Sequence, residues 1–325
     1  MALTEFTIAA AERVQRWSAA AWYELPHIIF FGRLMRPDPN AIIEEKRDLE
    51  GQPGDRLNYT LVNGLNGAGV VGDDPLEGQE EELDLDTDSV TLDQKRNAVR
   101  LKGRLSMKRT AVDQEKASKS VLKKWMAEVV DDDIFVELST SNTRQVFGGN
   151  LASRAVLLTT SLITPAIMDT VVARAEMADP KIWPVNISGD DFYVLVMHPD
   201  AWYDLRQNSV WQGYQQNGAQ VQGRDNPIFS GSPGVYNQIV LHKHIKVPSG
   251  TDAGAGANVP YAVNLFLGMQ AAIMAWGAPP QSWVKEFDYG NSIGMAIGAI
   301  YKPRKSLFGA NDHAVISLET ARTNN

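Results

Sequence analysis

Val121, Leu122, Trp125, Met126, Val129, Val130, Ile134 and Leu138 recur at spacings of three and four residues. Such a stripe is the apolar face of a helix, and it predicts one over residues 110–139. At about 1.5 Å per residue that helix would reach roughly 45 Å, longer than a compact domain needs, which marks it as a spine. Glu115 and Lys119 fall on its wet face as an i,i+4 pair. A further helix is announced by its start: Thr164 reads as an N-cap, Pro165 as the first helical position, and the apolar pattern runs to about Met177. Residues 6–24 are alanine-rich and free of Gly and Pro, so they predict an N-terminal helix. Pro26, Pro37 and Pro39 then break the chain into an extended arm with exposed aromatic candidates Trp22, Tyr23, Phe30 and Phe31.

Strands are read from the remaining apolar runs. AIIEEKRDL (41–49) and DRLNYTLV (55–62) flank a Gly51–Gly54 turn. Residues 89–110 continue as a strand whose phase slips. Val90 and Leu92 share one face, Val99, Leu101, Leu105 and Met107 the other, which implies a bulge or bend near DQKRN (93–97). FYVLVM (192–197) predicts a buried strand, HPDAWYDLRQ (198–207) a helix, and YNQIVLHKHIKV (236–247) a strand. Residues 208–234 form a Gln/Gly-rich connection and PSGTDAGAGANVP (248–260) a loop. YAVNLFLGMQAAIMAWG (261–277) is slightly too short for a membrane helix and carries Asn264 and Gln270, so it reads as buried core. Residues 282–309 and 313–321 read as returning strands. Strand and helix do not alternate regularly, so the fold class is α+β.

Chemistry is sparse. With no cysteine, disulfides, thiolate metal sites and Cys nucleophiles are excluded. Residues 1–17 mix charges among their apolar side chains and are no secretion signal. Gly67, Gly69 and Gly72 spell G-x-G-x-x-G, but Pro75, Gly78 and a train of acids follow where a dinucleotide site needs a helix N-terminus. DLDTD (84–88) begins like a calcium loop, yet Ser89 and Lys95 stand where Gly and Glu belong. His242 and His244 could share a strand face as metal ligands, with solvated histidines the simpler reading. Ser230 replaces the first glycine of a nucleophile elbow. No cofactor, metal or catalytic residue is expected, and the chain is not read as an enzyme.

Charge is more telling. The net charge is −8, which argues against a nucleic-acid reader. Residues 73–88 hold nine acids and no base, whereas 89–109 hold seven bases and one acid. Either the two arms of a solvated hairpin pair with each other, or a protruding hairpin offers opposite charges to neighbouring copies and registers self-association.

An arm, a glycine-tipped hairpin, a spine helix and a mixed lobe, in that order, resemble the major capsid proteins of tailed bacteriophages. PLEGQEEELDLDTDSVTLDQKRNAVRLKGRLSMKRT (75–110), NPIFSGSPGVYNQIVL (226–241) and FDYGNSIGMAIGAIYKPRKSLFG (287–309) look like signature stretches of a podovirus-like subfamily, and the resemblance runs over about residues 5–320. It implies the common tailed-phage capsid fold: an N-terminal arm (1–45), an extended β-hairpin loop with flanking strands (46–109), a peripheral-domain spine helix (110–149), an axial domain (150–280), and returning peripheral-domain strands with the C-terminus (281–325). It implies a shell protein that self-assembles into hexamers and pentamers of an icosahedral capsid, enclosing double-stranded DNA without sequence-specific binding. Implied partners are other copies, a portal, scaffolding and decoration proteins, with no membrane. The implied location is the virion, assembled in the bacterial host cytoplasm. On this reading the inter-subunit hairpin residues are Gly64, Gly67, Gly69, Gly72, Glu80, Glu81, Glu82, Lys95, Arg96 and Arg100, the glycines letting the tip bend differently in unlike environments. An encapsulin-like compartment shell, or a soluble α+β enzyme with a dispersed site, are the alternatives.

Overall fold

The computed structural model describes residues 29–62, 67, 69–72, 75–82, 85–109, 114–187, 189–214, 234–309 and 311–323. Five strands form one sheet, in the spatial order β1 (Met35–Arg36), β2 (Ile43–Lys46), β13 (Ala272–Phe287), β14 (Ser292–Lys305) and β5 (Asp93–Arg100). The first three are parallel, while β13, β14 and β5 run antiparallel. An eight-stranded sheet has the order β6 (Gln145–Phe147), β17 (Val315–Ala321), β12 (Val259–Leu267), β8 (Asp190–Met197), β10 (Ile239–Lys243) and β9 (Val235–Tyr236). In it β11 (Ser249–Ala253) pairs with β12, and β7 (Val185–Ile187) with β8. A hairpin of β3 (Arg56–Val62) and β4 (Leu85–Thr91) belongs to neither sheet, and β15 (Leu307–Phe308) pairs with β16 (Asn311–Asp312). The helices are α1 (Arg104–Arg109), α2 (Gln114–Ser139), α3 (Pro165–Glu176) and α4 (Pro199–Gln207).

Helix α2 lies across β14 and presents Leu122, Met126, Val130, Ile134 and Leu138, all fully buried, to Met295, Ile297, Ala299 and Tyr301 in one core. Each such side chain contributes roughly 1.5–3 kcal/mol by leaving water. The buried row recurs every four residues, so Val121, counted in the predicted stripe, falls outside it and is 61% exposed. Residues 110–113 of the predicted helix are outside the described residues, as is the whole predicted helix at 6–24 with Trp22 and Tyr23.

Thr164 caps α3 through Ile167 N–H at 3.4 Å, with Pro165 in the first turn, as its sequence predicts. Asn264, inside the apolar run at 261–277, is fully buried, and its amide is satisfied by His198 N–H, Leu318 C=O and Thr320 Oγ1, each at 3.1 Å. That run is two core strands, β12 and the start of β13.

Several expectations are corrected. The phase slip expected near 93–97 as a bulge or bend is not a bulge, since 93–97 are regular strand β5: it is found as a break at Leu92, whose N–H is held by Asp55 C=O at 2.7 Å. There the chain leaves the hairpin and enters the five-stranded sheet. Leu105 and Met107 belong to helix α1, not to a strand. Ser249–Ala253, expected as loop, is ordered as a strand by pairing with β12. Residues 209–214 of the supposed connection are helical, and 215–233 lie outside the described residues. Phe30 and Phe31 are not exposed: they pack on Phe135, and their N–H groups donate to Asp131 at 2.8 and 3.3 Å.

Candidate assembly interface

The hairpin alternates strictly. Leu57, Tyr59 and Leu61 pair with Val90, Asp88 and Asp86, and this face turns to the body. Asn58, Thr60 and Val62 with Ser89, Thr87 and Leu85 form the outer face, where Val62 and Leu85 are an exposed apolar pair. At the root Asp88 accepts from Tyr59 Oη at 2.7 Å and from Arg304 Nε at 3.4 Å, and Arg304 reaches Glu137 at 3.7 Å. Burial and the neighbouring Asp88 carboxylate push the Tyr59 pKa up, so its hydroxyl remains a donor. Asp86 accepts from Gly309 N–H. The hairpin is thus pinned to β14, α2 and the β15 turn.

Beyond the root the chain becomes acidic and exposed. Gly69 and Gly72 adopt φ of +65° and +79°, backbone that glycine alone enters without strain. Gly67 sits against the Glu81 carboxyl group, where an added Cβ would fall 2.7 Å from its carbon. Glu80 accepts from Gly78 N–H at 2.7 Å, and Glu77 and Glu82 are exposed beside Val71, 82% exposed, and Leu76. Gly64 lies outside the described residues.

The opposite charges sit elsewhere. Lys95 turns toward α2 and pairs with Asp133 at 2.5 Å, beside Tyr301 Oη on the same carboxylate at 2.8 Å. Arg96 and Arg100 turn to the other face of the sheet, which nothing among the described residues covers. On that face the registers set three rows: Lys285–Gly294–Arg100, Trp283–Ala296–Ala98 and Gln281–Gly298–Arg96. Because the central strand carries only Gly, Ala and Gly there, it forms a valley between two ridges of larger side chains. The result is a groove of about 520 Å³, walled by Trp283 (43% exposed) and Phe287 and rimmed by Arg96, Arg100 and Lys285. Arg100 lies 4.2 Å over the Phe287 ring and donates to Ser292 Oγ at 3.2 Å. Three bases, Arg96, Arg100 and Lys285, thus line a groove on a chain that is acidic as a whole.

Sequence reasoning missed the groove, although its signal stood in NSIGMAIGAIY (291–301), where small and large residues alternate with period two. It also misread the histidines. His244 packs 4.7 Å from the Phe30 ring and 4.9 Å from Phe135, and His242 lies 5.9 Å from Phe30. Burial, with Arg33 and Lys246 nearby, lowers both pKa values, so they are neutral packing groups rather than solvated strand residues. Among the described residues no group of three or more His, Asp or Glu side chains is placed to hold a metal ion, and no helix is long and apolar enough to cross a membrane.

Comparison with known proteins identifies the family. The family model described as phage capsid protein matches residues 5–150 and 140–323. The chain belongs to this phage capsid protein family. The capsid of Ralstonia phage GP4 is 32% identical and superposes with a TM-score of 0.81, covering 91% of this chain and 92% of that one. The major capsid protein of Pseudomonas phage KPP25 is 26% identical, with 91% of this chain and 90% of that protein covered. The cyanophage Pam1 capsid (20% identity, TM-score 0.81) covers 91% of this chain and 92% of its own, and shows the fold alone. A virus-like particle from Pyrococcus furiosus shares that fold at 9% identity and a TM-score of 0.52, with 94% and 99% covered. The α+β capsid fold expected from the sequence is therefore the fold of this chain. Its function is that of a major capsid protein: copies of it build the icosahedral shell of a tailed phage, and it is a structural part of the virion.

Proposed function

We propose that the hairpin tip of one copy docks in the outer-sheet groove of the next, and that this contact closes the chain into hexamers and pentamers of the shell. One observation carries the reading: an acidic, apolar-tipped donor and a cationic, apolar-walled acceptor occupy different places on one chain. The hairpin root meets β14 at Arg304, and the groove is centred on Ala296 of the same strand, roughly 26 Å away at 3.3 Å per residue. No described hairpin residue lines the chain's own groove. Donor and acceptor on separate surfaces make a head-to-tail contact, which generates rings when the rotation closes. Opposite charges steer and register the encounter, while burial of Val71, Leu76 and Trp283 supplies affinity.

In this reading Gly64, Gly67, Gly69 and Gly72 let the tip fit unlike neighbours, Glu80, Glu81 and Glu82 supply its charge, and Arg96 and Arg100 receive it. Lys95 serves the chain's own core. Residues 1–45 act as the arm, 46–109 as the extended loop with its approach strands, 110–149 and 281–325 as the peripheral domain, and 150–280 as the axial domain. The shell encloses double-stranded DNA without sequence-specific contacts, suited by the net charge of −8. It meets portal, scaffolding and decoration proteins during assembly in the host cytoplasm, and it performs no catalysis.

Negative-stain microscopy and sedimentation of wild type beside a deletion of residues 62–87 test this. Wild type, supplied with its assembly factors, should give closed shells, and the deletion should stall as free subunits or irregular particles. Normal shells from the deletion would refute the hairpin's role.

A further inference from the structure

Strand β5 is an outer edge of the five-stranded sheet, and the side-chain docking described above leaves its backbone unused. Leu101 N–H donates to Ile293 C=O at 2.8 Å, which makes 101 and 293 a mutually bonded antiparallel pair. Stepping by two along the register, 99 with 295, 97 with 297 and 95 with 299 are bonded pairs as well. Gln94, Arg96, Ala98 and Arg100 therefore turn their N–H and C=O groups away from β14. Two of these N–H groups are held by the preceding side chain, Gln94 by Asp93 Oδ1 and Ala98 by Asn97 Oδ1, both at 2.8 Å. Those of Arg96 and Arg100 have no partner among the described residues. At eight residues, with no proline and no register shift, β5 is a long unbroken edge of the kind that templates strand addition.

We propose that residues 79–84 in the hairpin tip of the next copy pair with β5 as a sixth strand of its sheet. The inference rests on the hairpin-in-groove docking and sets its backbone register. On the groove face of β5 the bases Arg96 and Arg100 stand four residues apart with Ala98 between them. The segment QEEELD (79–84) carries Glu80, Glu82 and Asp84 at the same period of two, and Gln79–Glu82 are exposed and belong to no strand. Four residues of extended chain measure about 13 Å on either side, so Glu80 and Asp84 meet the two arginines while Glu82 falls opposite Ala98. That match is the same for both strand directions. Arg96 and Arg100 also repel the β5 edge of another copy, so the two side chains that select an acidic strand exclude pairing between identical edges. Main-chain hydrogen bonds then hold the tip, and the charges fix where along the edge it sits.

Amide exchange of the wild-type chain, read residue by residue in assembled shells and in free subunits, tests the edge. The Arg96 and Arg100 amides should slow by at least about 100-fold in shells, while the Lys95, Asn97 and Val99 amides, already bonded to β14, are slow in both. Unchanged exchange at 96 and 100 would overturn the proposal without recourse to any variant. Because the chain has no cysteine, the register can be read by introduced disulfides. Opposed residues of a bonded pair lie about 5.5 Å apart between Cα atoms, within disulfide reach. Oxidised shells of Glu82→Cys/Ala98→Cys should give covalent ladders of up to six chains on a non-reducing gel. Shells of Glu81→Cys/Ala98→Cys, whose side chains leave opposite faces, should give few or none, and equal ladders from both would overturn the pairing. Shells that depend on the tip and groove charges yet exchange freely at 96 and 100 would keep the docking and remove the strand, whereas shells from the 62–87 deletion would remove the docking itself.

Discussion

Asp88→Ala tests how the hairpin is held. The carboxylate accepts a 2.7 Å hydrogen bond from the half-buried Tyr59 hydroxyl, takes Ser89 N–H at 2.7 Å, and pairs with Arg304. A hydrogen bond to a charged group contributes about 1.5–3 kcal/mol, the local Ser89 bond less. The Arg304 side chain is 36% exposed, so solvent screening holds that pair to about 1 kcal/mol or below. Together the loss is about 3 kcal/mol, borne by the docking of β3–β4 rather than by the core, because the other root contacts, Asp86 with Gly309 and Val90 with the body, remain. An undocked two-stranded hairpin is marginal in water, so undocking also opens its strands. At 1.4 kcal/mol per tenfold, amide exchange in β3 and β4 should accelerate by about 100-fold, while β12 and β17 keep wild-type protection. Tyr59→Phe, which removes one bond and keeps the charge, should give about a tenfold effect. Unchanged exchange in β3–β4, or a loss spread evenly over the chain, would refute the account of the root.

Other perturbations separate core from surface. Leu122→Ala should cost about 2–5 kcal/mol by urea unfolding, and the adjacent Val121→Ala less than about 0.5, since only the first faces β14. Gly148→Ala places a Cβ 2.2 Å from the Ser161 carbonyl oxygen and should destabilise by about 1–3 kcal/mol, with a lower urea midpoint at unchanged slope. Buried His313 has its pKa lowered from 6.5 to about 4, first by burial and then by Arg144. The unfolded chain therefore binds a proton below 6.5 that the folded chain refuses until about 4, and stability falls as pH drops through that window by about 3 kcal/mol. Asp131, raised by burial, opposes this, because its contribution is greatest in acid and is lost as pH rises. Urea midpoints of wild type and His313→Gln against pH should converge in acid, and parallel curves would show that His313 is not the titrating group.

Features written into adjacent residues were legible. Thr164 and Pro165 mark their helix start because capping is satisfied within one turn. The glycine run falls between β3 and β4 because a long connection between two alternating strands has to carry the turn. Features created by tertiary pairing were not. Ser249–Ala253 has a loop's composition and becomes a strand only because β12 supplies its partners. Helix α1 has six residues, too few for a periodicity to separate it from a strand in Leu105 and Met107. The phase slip at Leu92 is the same in sequence whether the cause is a bulge or a change of sheet. For the assembly surfaces, the acidic tip could be read directly, whereas the groove required knowing that Ala98, Trp283 and Ala296 share one row across three strands. The turn of Lys95 inward and of Arg96 outward follows from the pleat once β14 and α2 are known to flank that strand.

A charge exchange tests the docking contact most directly. Replacing all six acids of residues 73–82 by Lys reverses the tip, and Arg96→Glu/Arg100→Glu/Lys285→Glu reverses the groove. Sedimentation and microscopy should find that each multiple variant alone fails to close shells, and that the chain carrying both sets assembles again, since every tip then meets a groove of opposite sign. Shells from either variant alone, or a combined chain no better than its parents, would contradict the hairpin-in-groove contact.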